Sequence, residues 1–219
     1  MTMMNTLKAV IFDMDGTIID SLPLCVKAFQ LAVEPIAQRP FSEEEILSAF
    51  GPSDEGTIAV FIPDAVETGM EQFLSHYRRL HPAMCSKPFD GMIDVLEELK
   101  ARNIPIGLVT GKGPRSLAIT LEELGLAHYF DAIETGSALR ANKPEGLRKI
   151  LSKFNLSPSE AVYIGDAPGD IMACREVAIP IYTAAWAKLV DLPKLQSLKP
   201  DKIVRSVEEL KMLLLSAIS

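Results

Sequence analysis

Asp13-Met14-Asp15-Gly16-Thr17 sets two carboxylates two residues apart, beside a glycine and a hydroxyl. Gly165-Asp166-Ala167-Pro168-Gly169-Asp170 supplies a second acidic pair. Between them in the sequence, Thr110-Gly111-Lys112 offers a hydroxyl next to a glycine, and Lys143-Pro144 offers a cation. Carboxylate oxygens are hard ligands, and Mg2+ takes one or two of them together with water and phosphate oxygens. Four acids gathered without a cation would repel one another and raise one another's pKa values. A divalent ion removes that conflict. A phosphate dianion is then the natural partner, held by the metal, by Lys143 and by backbone N–H groups near Gly111. An aspartate beside such a metal can attack phosphorus and carry the phosphoryl group as an aspartyl-phosphate. A second aspartate two residues on points to the opposite side if strand geometry holds, and a bend in the loop would turn it back as general acid and base.

Such residues need a scaffold that brings four distant loops to one place. Residues 7–13 read as a buried strand, a continuous apolar run of Ala9, Val10, Ile11 and Phe12 ending in carboxylates. Residues 14–17 form a loop around the permissive Gly16. Residues 104–110, 132–135, 161–164, 180–183 and 202–204 read as further strands. Residues 90–101, 114–124, 144–154, 170–177 and 207–215 read as helices. Asp90 is the expected cap of the first of these helices, and Gly125 closes the second. Strands separated by single helices imply βαβ units and a mostly parallel sheet. In such sheets ligands bind at the carboxyl ends of the strands, where the four polar stretches fall. Residues 21–85 have a different texture. Leu24, Ala28, Leu31 and Ala32, then Ile46, Leu47 and Phe50, then Phe73, Leu74 and Tyr77 recur at helical spacing, without a strand signal. Ser21-Leu22-Pro23 is a helix start. The block reads as an all-helical insertion.

Composition narrows the function classes. The 219 residues are 48% hydrophobic and 23% charged, which suits a packed globular core and not disorder. Lys plus Arg number 22 against 29 for Asp plus Glu, a net charge of -7, so a sequence-independent nucleic-acid binder is not expected. Cys25, Cys85 and Cys174 are widely spaced, with no CxxC or Cys/His cluster, and indicate neither a disulfide framework nor a zinc site. The apolar run 9–12 is too short for a signal-peptide core, and no stretch approaches membrane-spanning length. The expectation is a cytoplasmic protein without membrane or nucleic-acid partners, a monomer or small homo-oligomer.

At the four polar stretches the sequence resembles the haloacid dehalogenase superfamily of phosphohydrolases. Asp13-Met14-Asp15-Gly16-Thr17 is similar to its DxDGT motif, and Thr110 to the hydroxyl motif after the second core strand. Lys143 resembles the motif lysine, and Gly165-Asp166 with Asp170 the acidic fourth motif. The four follow in the family's order, and the resemblance covers nearly the whole chain. It implies an α/β fold: a Rossmann-like parallel-sheet core of residues 1–20 and 86–219, with a helical cap of residues 21–85. It implies Asp13 as nucleophile, and Asp15 as the acid that protonates the leaving group and then activates water. Thr17 would fix the turn and orient Asp15. Mg2+ would be held by Asp13, the backbone carbonyl of Asp15 and Asp166, with Asp170 in contact with the ion or its outer shell. Thr110 and Gly111 would bind the transferring phosphoryl group, and Lys143 would neutralise charge. The family's dehalogenases lack an aspartate at the Asp15 position, having no oxygen leaving group to protonate. Two departures stand out: Gly111, where relatives often carry asparagine or serine, and the pair Pro168-Gly169 inside the fourth stretch.

The resemblance implies a Mg2+-dependent phosphatase for a small phosphorylated metabolite, with phosphoglycolate ahead of small sugar phosphates and pyrophosphate. A phosphomutase of the β-phosphoglucomutase type is the alternative. It calls for an arginine near Gly51, and Gly51-Pro52-Ser53-Asp54-Glu55-Gly56 has none. A non-catalytic phospho-ligand or partner-binding module is a second alternative, opposed by the intact Asp13 and Asp15 pair. A phosphoglycolate site needs a cation, for which Lys27, Arg39, Arg78 and Arg79 are available between residues 21 and 85. Lys112 reads as a solvated loop lysine, and Ser53-Asp54-Glu55 as a solvated turn that could face substrate. His76, His81 and His128 lie outside the motifs, and the cysteines read as small buried hydrophobes.

Overall fold

The computed structural model describes residues 7–218. Among them, strands β1 (Ala9–Phe12), β2 (Ile106–Val109), β3 (Ala132–Glu134), β4 (Ala161–Gly165), β5 (Ile181–Ala184) and β6 (Lys202–Val204) form one sheet. Its order is β3-β2-β1-β4-β5-β6, and each of these neighbours pairs in parallel. The central β1 sets the register, with Phe12 opposite Leu108 on one side and Ile164 on the other. From β1 the chain builds outward first through β2 and β3, then through β4, β5 and β6. The strand order therefore reverses between β1 and β4, which opens a crevice at their carboxyl ends.

The helices are α1 (Leu22–Ala37), α2 (Glu43–Ser48), α3 (Asp54–Phe61), α4 (Val66–Met84), α5 (Met92–Ala101), α6 (Pro114–Leu124), α7 (Lys143–Phe154), α8 (Pro168–Val177), α9 (Leu192–Ser197) and α10 (Val207–Ile218). No helix among the described residues is long and apolar enough to cross a membrane. Alternation along β1 splits the core in two. Val10 and Phe12 pack with Leu96, Leu117 and Leu210 on one face. Ala9 and Ile11 pack with Leu147, Ile150, Ile171 and Leu195 on the other. Both faces of the sheet are covered, which is why its strands read as continuous apolar runs.

Helices α1 to α4 occupy the stretch read as an all-helical insertion, with no strand among them. Their aromatic side chains pack into the same apolar cluster as the first sheet face. Phe29 of α1 stacks on Phe73 of α4, with centroids 4.2 Å apart. Tyr77 of α4 reaches across to α6, its hydroxyl 2.9 Å from that of Thr120.

Several boundaries differ from the sequence reading. The cap of α5 is Gly91, at φ +81°, and not Asp90, which stays at the surface and pairs with Lys87 at 2.6 Å. Only glycine takes that conformation without strain. Ser53-Asp54-Glu55 is the start of α3 and not a solvated turn. Helix α8 begins at Pro168, whose missing N–H costs nothing in a first turn. The short α9 was not expected. It is started by Asp191, whose carboxylate accepts the Lys194 N–H at 3.0 Å.

Ile11 lies wholly buried on the second face. Ile11→Ala should lower unfolding free energy by about 2–5 kcal/mol, read as a shifted urea midpoint with an unchanged slope. A loss below about 0.5 kcal/mol, the range of surface substitutions, would mean that β1 is not the centre of the core.

Candidate active site

The sheet delivers the acidic residues to the crevice. Asp13 follows β1 directly, and its backbone N–H bonds to the Ile164 carbonyl at 2.8 Å, so β1 and β4 end level. The loop then folds tightly. Gly16 donates to the Ile19 carbonyl at 2.8 Å, and Ile18 to that of Met14 at 2.9 Å. Gly16 sits at φ +76°, and a Cβ there would collide with the Asp166 carboxylate. The glycine thus allows both the turn and the close approach of the β4 loop.

Asp13, Asp166 and Asp170 each aim a carboxylate oxygen into one spot, all within 4.8 Å of one another. Asp170 is fully buried in the first turn of α8. One of its oxygens accepts the Ala167 N–H at 2.9 Å, and the other accepts from Lys143. The Pro168-Gly169 pair therefore does not turn Asp170 away from its acidic neighbours. Lys143 opens α7 and donates to both Asp13 and Asp170. Tyr163, unmarked in the sequence, lies beneath, its hydroxyl donating to the Val109 carbonyl at 2.9 Å and lying 3.4 Å from Asp170.

Burial dominates the electrostatics. It pushes Asp13 up to about 6, against Lys143, while Asp170 and Asp15 add to the rise. Asp166 is held well above the ordinary carboxylate range by burial and by the charges of Asp170 and Asp13. Burial disfavours the Lys143 ammonium, but Asp13 and Asp170 outweigh it and keep the lysine charged. Three carboxylates lie beside one ammonium, which bonds two of them, so the cluster has an unmet demand for positive charge. Its donors are all hard oxygens, and a small dication such as Mg2+ fits them.

Asp15 stands apart from this trio. Its carboxylate accepts from the Ser21 hydroxyl, and one oxygen lies 3.2 Å from Lys112 Nζ. Lys112 is the clearest correction to the sequence reading, its side chain being only 1% exposed. The ammonium lies 3.6 Å from the Cys25 sulfur and 4.6 Å from the Tyr77 ring centroid. Burial opposes its charge, but Asp15 foremost raises its pKa well above the usual value. A lysine between two glycines at a strand end was the one sequence signal for it. Thr17 fixes the turn, but its hydroxyl donates to Asp166 at 3.2 Å and not to Asp15.

Thr110 follows β2 directly and is buried, its hydroxyl accepting the Lys112 N–H at 3.2 Å, and Gly111 lies beside it. Asp54, read as part of a solvated turn, is buried. It accepts the Gly113 N–H at 2.8 Å, just ahead of α6, and the hydroxyl of Ser116 in that helix's first turn. A serine followed by two acids marks a helix start, the signal that could have identified it. Over these residues lies a cavity of about 1100 Å³, walled by the strand-end loops below and by α1, α2 and α3 above.

A parallel α/β sheet with an acidic, lysine-bridged crevice under a helical roof defines a narrow class of enzymes. A sequence model of the haloacid dehalogenase-like hydrolases matches residues 10–184, and the chain belongs to that family. It is 27% identical to the pyrophosphatase PpaX of Bacillus pumilus, over 94% of this chain and 95% of that one. It is likewise 27% identical to a phosphoglycolate phosphatase of Agrobacterium fabrum, over 89% and 86%. Its fold matches a haloacid dehalogenase-like hydrolase of Streptococcus pneumoniae with a TM-score of 0.73 at 24% identity, covering 96% and 99%.

Asp54→Ala would leave the Gly113 N–H and the Ser116 hydroxyl without their acceptor, at a cost of about 1–3 kcal/mol. Thermal denaturation should show the loss, whereas the neighbouring Glu55→Ala should not. Equal melting temperatures for Asp54→Ala and the parent would remove Asp54 from the packing of α3 on α6.

Proposed function

We propose that the chain is a Mg2+-dependent phosphatase that hydrolyses a small phosphorylated metabolite through an aspartyl-phosphate on Asp13. The observation that carries this reading is the convergence of Asp13, Asp166 and Asp170 at the switch-point crevice, with Lys143 bridging Asp13 and Asp170. Membership of the hydrolase family and the names of the relatives support it. Asp13, Asp166 and Asp170, with the backbone carbonyl of Asp15, would hold Mg2+, which supplies charge neutralisation for the phosphoryl oxygens. Thr110, the Gly111 backbone and Lys143 would bind those oxygens. An Asp13 oxygen attacks phosphorus as the bond to the leaving oxygen breaks, and Asp15 gives that oxygen its proton. Water then attacks phosphorus, its proton passing to Asp15, and Asp13 is released. Residues 21–85 act as a cap that excludes bulk water during these steps. For a phosphomutase the cap would need a grip on a second phosphate. The one arginine among the described cavity-lining residues is Arg175, on α8.

Asp13→Asn should reduce kcat by at least ~1000-fold, about 4 kcal/mol, while circular dichroism stays that of the parent. Asp15→Asn should lose about 100- to 10,000-fold with an alkyl phosphate and less with an aryl phosphate, whose leaving group needs little protonation. Near-parental turnover by either variant would refute its assigned role. EDTA should abolish activity and Mg2+ restore it, with Asp166→Ala requiring far more metal. Activity that survives exhaustive chelation would sink the mechanism.

A further inference from the structure

The roof of the cavity is apolar. Leu22, Phe29, Leu47, Phe50 and Pro52 line it from the helical segment, with Cys25 among them. The wall is fixed by packing: the Phe29 and Phe50 rings lie 5.6 Å apart, and Phe29 stacks on Phe73. The polar residues on this side are already engaged. Asp54 accepts from Gly113 and Ser116, and the Thr57 hydroxyl faces the Ala49 carbonyl at 3.5 Å.

Cations are equally committed. Among the described residues lining the cavity they are Lys112, Lys143 and Arg175. Lys112 is paired with Asp15, and Lys143 with Asp13 and Asp170. Arg175 donates to the Leu198 and Lys199 carbonyls. Lys27, Arg39, Arg78 and Arg79 are exposed and do not line the cavity. The leaving groups of pyrophosphate and phosphoglycolate are both anions, which this roof cannot pair. A sugar would bury hydroxyls against carbon, which costs free energy for each unmet hydrogen bond. An apolar alcohol gains by the same burial.

We propose that the site selects phosphomonoesters of apolar alcohols, with a compact aromatic or branched aliphatic leaving group seated against Phe29 and Phe50. The inference rests on the phosphatase reading and deepens it by naming the leaving-group class.

The test is kcat/KM for benzyl phosphate, glucose 6-phosphate, phosphoglycolate and pyrophosphate at matched Mg2+. Benzyl alcohol and the sugar are both primary alcohols, so their ranking reports the wall and not leaving-group reactivity. Benzyl phosphate should lead each of the others by at least about tenfold. A glucose 6-phosphate, phosphoglycolate or pyrophosphate value equal to or above it overturns the proposal while leaving the phosphatase reading intact. Turnover of none of the four with Mg2+ would overturn both. Phe50→Arg places a cation on the roof and should raise the phosphoglycolate-to-benzyl ratio at least about tenfold. Phe50→Ala, which adds no charge, should narrow the benzyl lead mainly through KM. It decides the matter if Phe50→Arg fails to fold. An unchanged phosphoglycolate-to-benzyl ratio in Phe50→Arg, or an unchanged benzyl lead in Phe50→Ala where only that variant folds, also overturns the proposal.

Discussion

One ammonium shared by two carboxylates, one at the end of a strand and one in the first turn of a helix, governs the site. Lys143 arrives on α7, Asp13 at the end of β1 and Asp170 on α8, and none of the three is near another in sequence. Their meeting depends on the reversal of strand order between β1 and β4. It also depends on Gly16, where any side chain would strike Asp166. In a dry setting an unmet charge is expensive, so the lysine cannot be removed without stranding two acids. The remaining surplus of negative charge is what makes a dication a natural occupant.

Asp13 and Asp15 lie on one turn yet face different surroundings. Asp13 looks to Lys143 and the acidic trio, while Asp15 looks to Lys112 and Ser21. Each acid has its own lysine, one at the start of α7 and the other in the loop after β2. This separation gives neighbouring, chemically identical groups distinct surroundings, which the proposed division of labour between them requires. The Lys112 side of the arrangement is enclosed by Cys25 of α1 and Tyr77 of α4. The helical segment therefore bears on Asp15 through the lysine that holds it.

The parallel sheet was legible in the sequence because each central strand is buried on both faces and spells an uninterrupted apolar run. β6 was read at its observed limits, and the other strands differed at their ends by one or two residues. Asp13, Asp166 and Asp170 were legible because acids at strand ends in this topology have one place to go. Lys112 and Asp54 were not, since each is explained by a partner far away in the chain. A lysine in a glycine-flanked loop looks solvated until Tyr77 and Cys25 are seen to cover it. Asp54 looks like a turn residue until the start of α6 is seen opposite. Thr17 carried the right turn but the wrong partner, because the tightness of that loop decides which carboxylate its hydroxyl meets.

The contact from Asp54 to α6 bears on how such a molecule can be recombined. The chain enters and leaves the helical segment near Ser21 and Cys85, and these would be the obvious joints for exchanging that segment with a relative's. Yet the residue that leads into α6 donates to a carboxylate 59 residues earlier, inside the segment. Gly113 has no room for a side chain beside that carboxylate, and Ser116 donates to it. The unit that would have to be exchanged is thus discontinuous: Gly113 and Ser116 are hydrogen-bonded to Asp54, although covalent connectivity assigns them to opposite parts of the molecule.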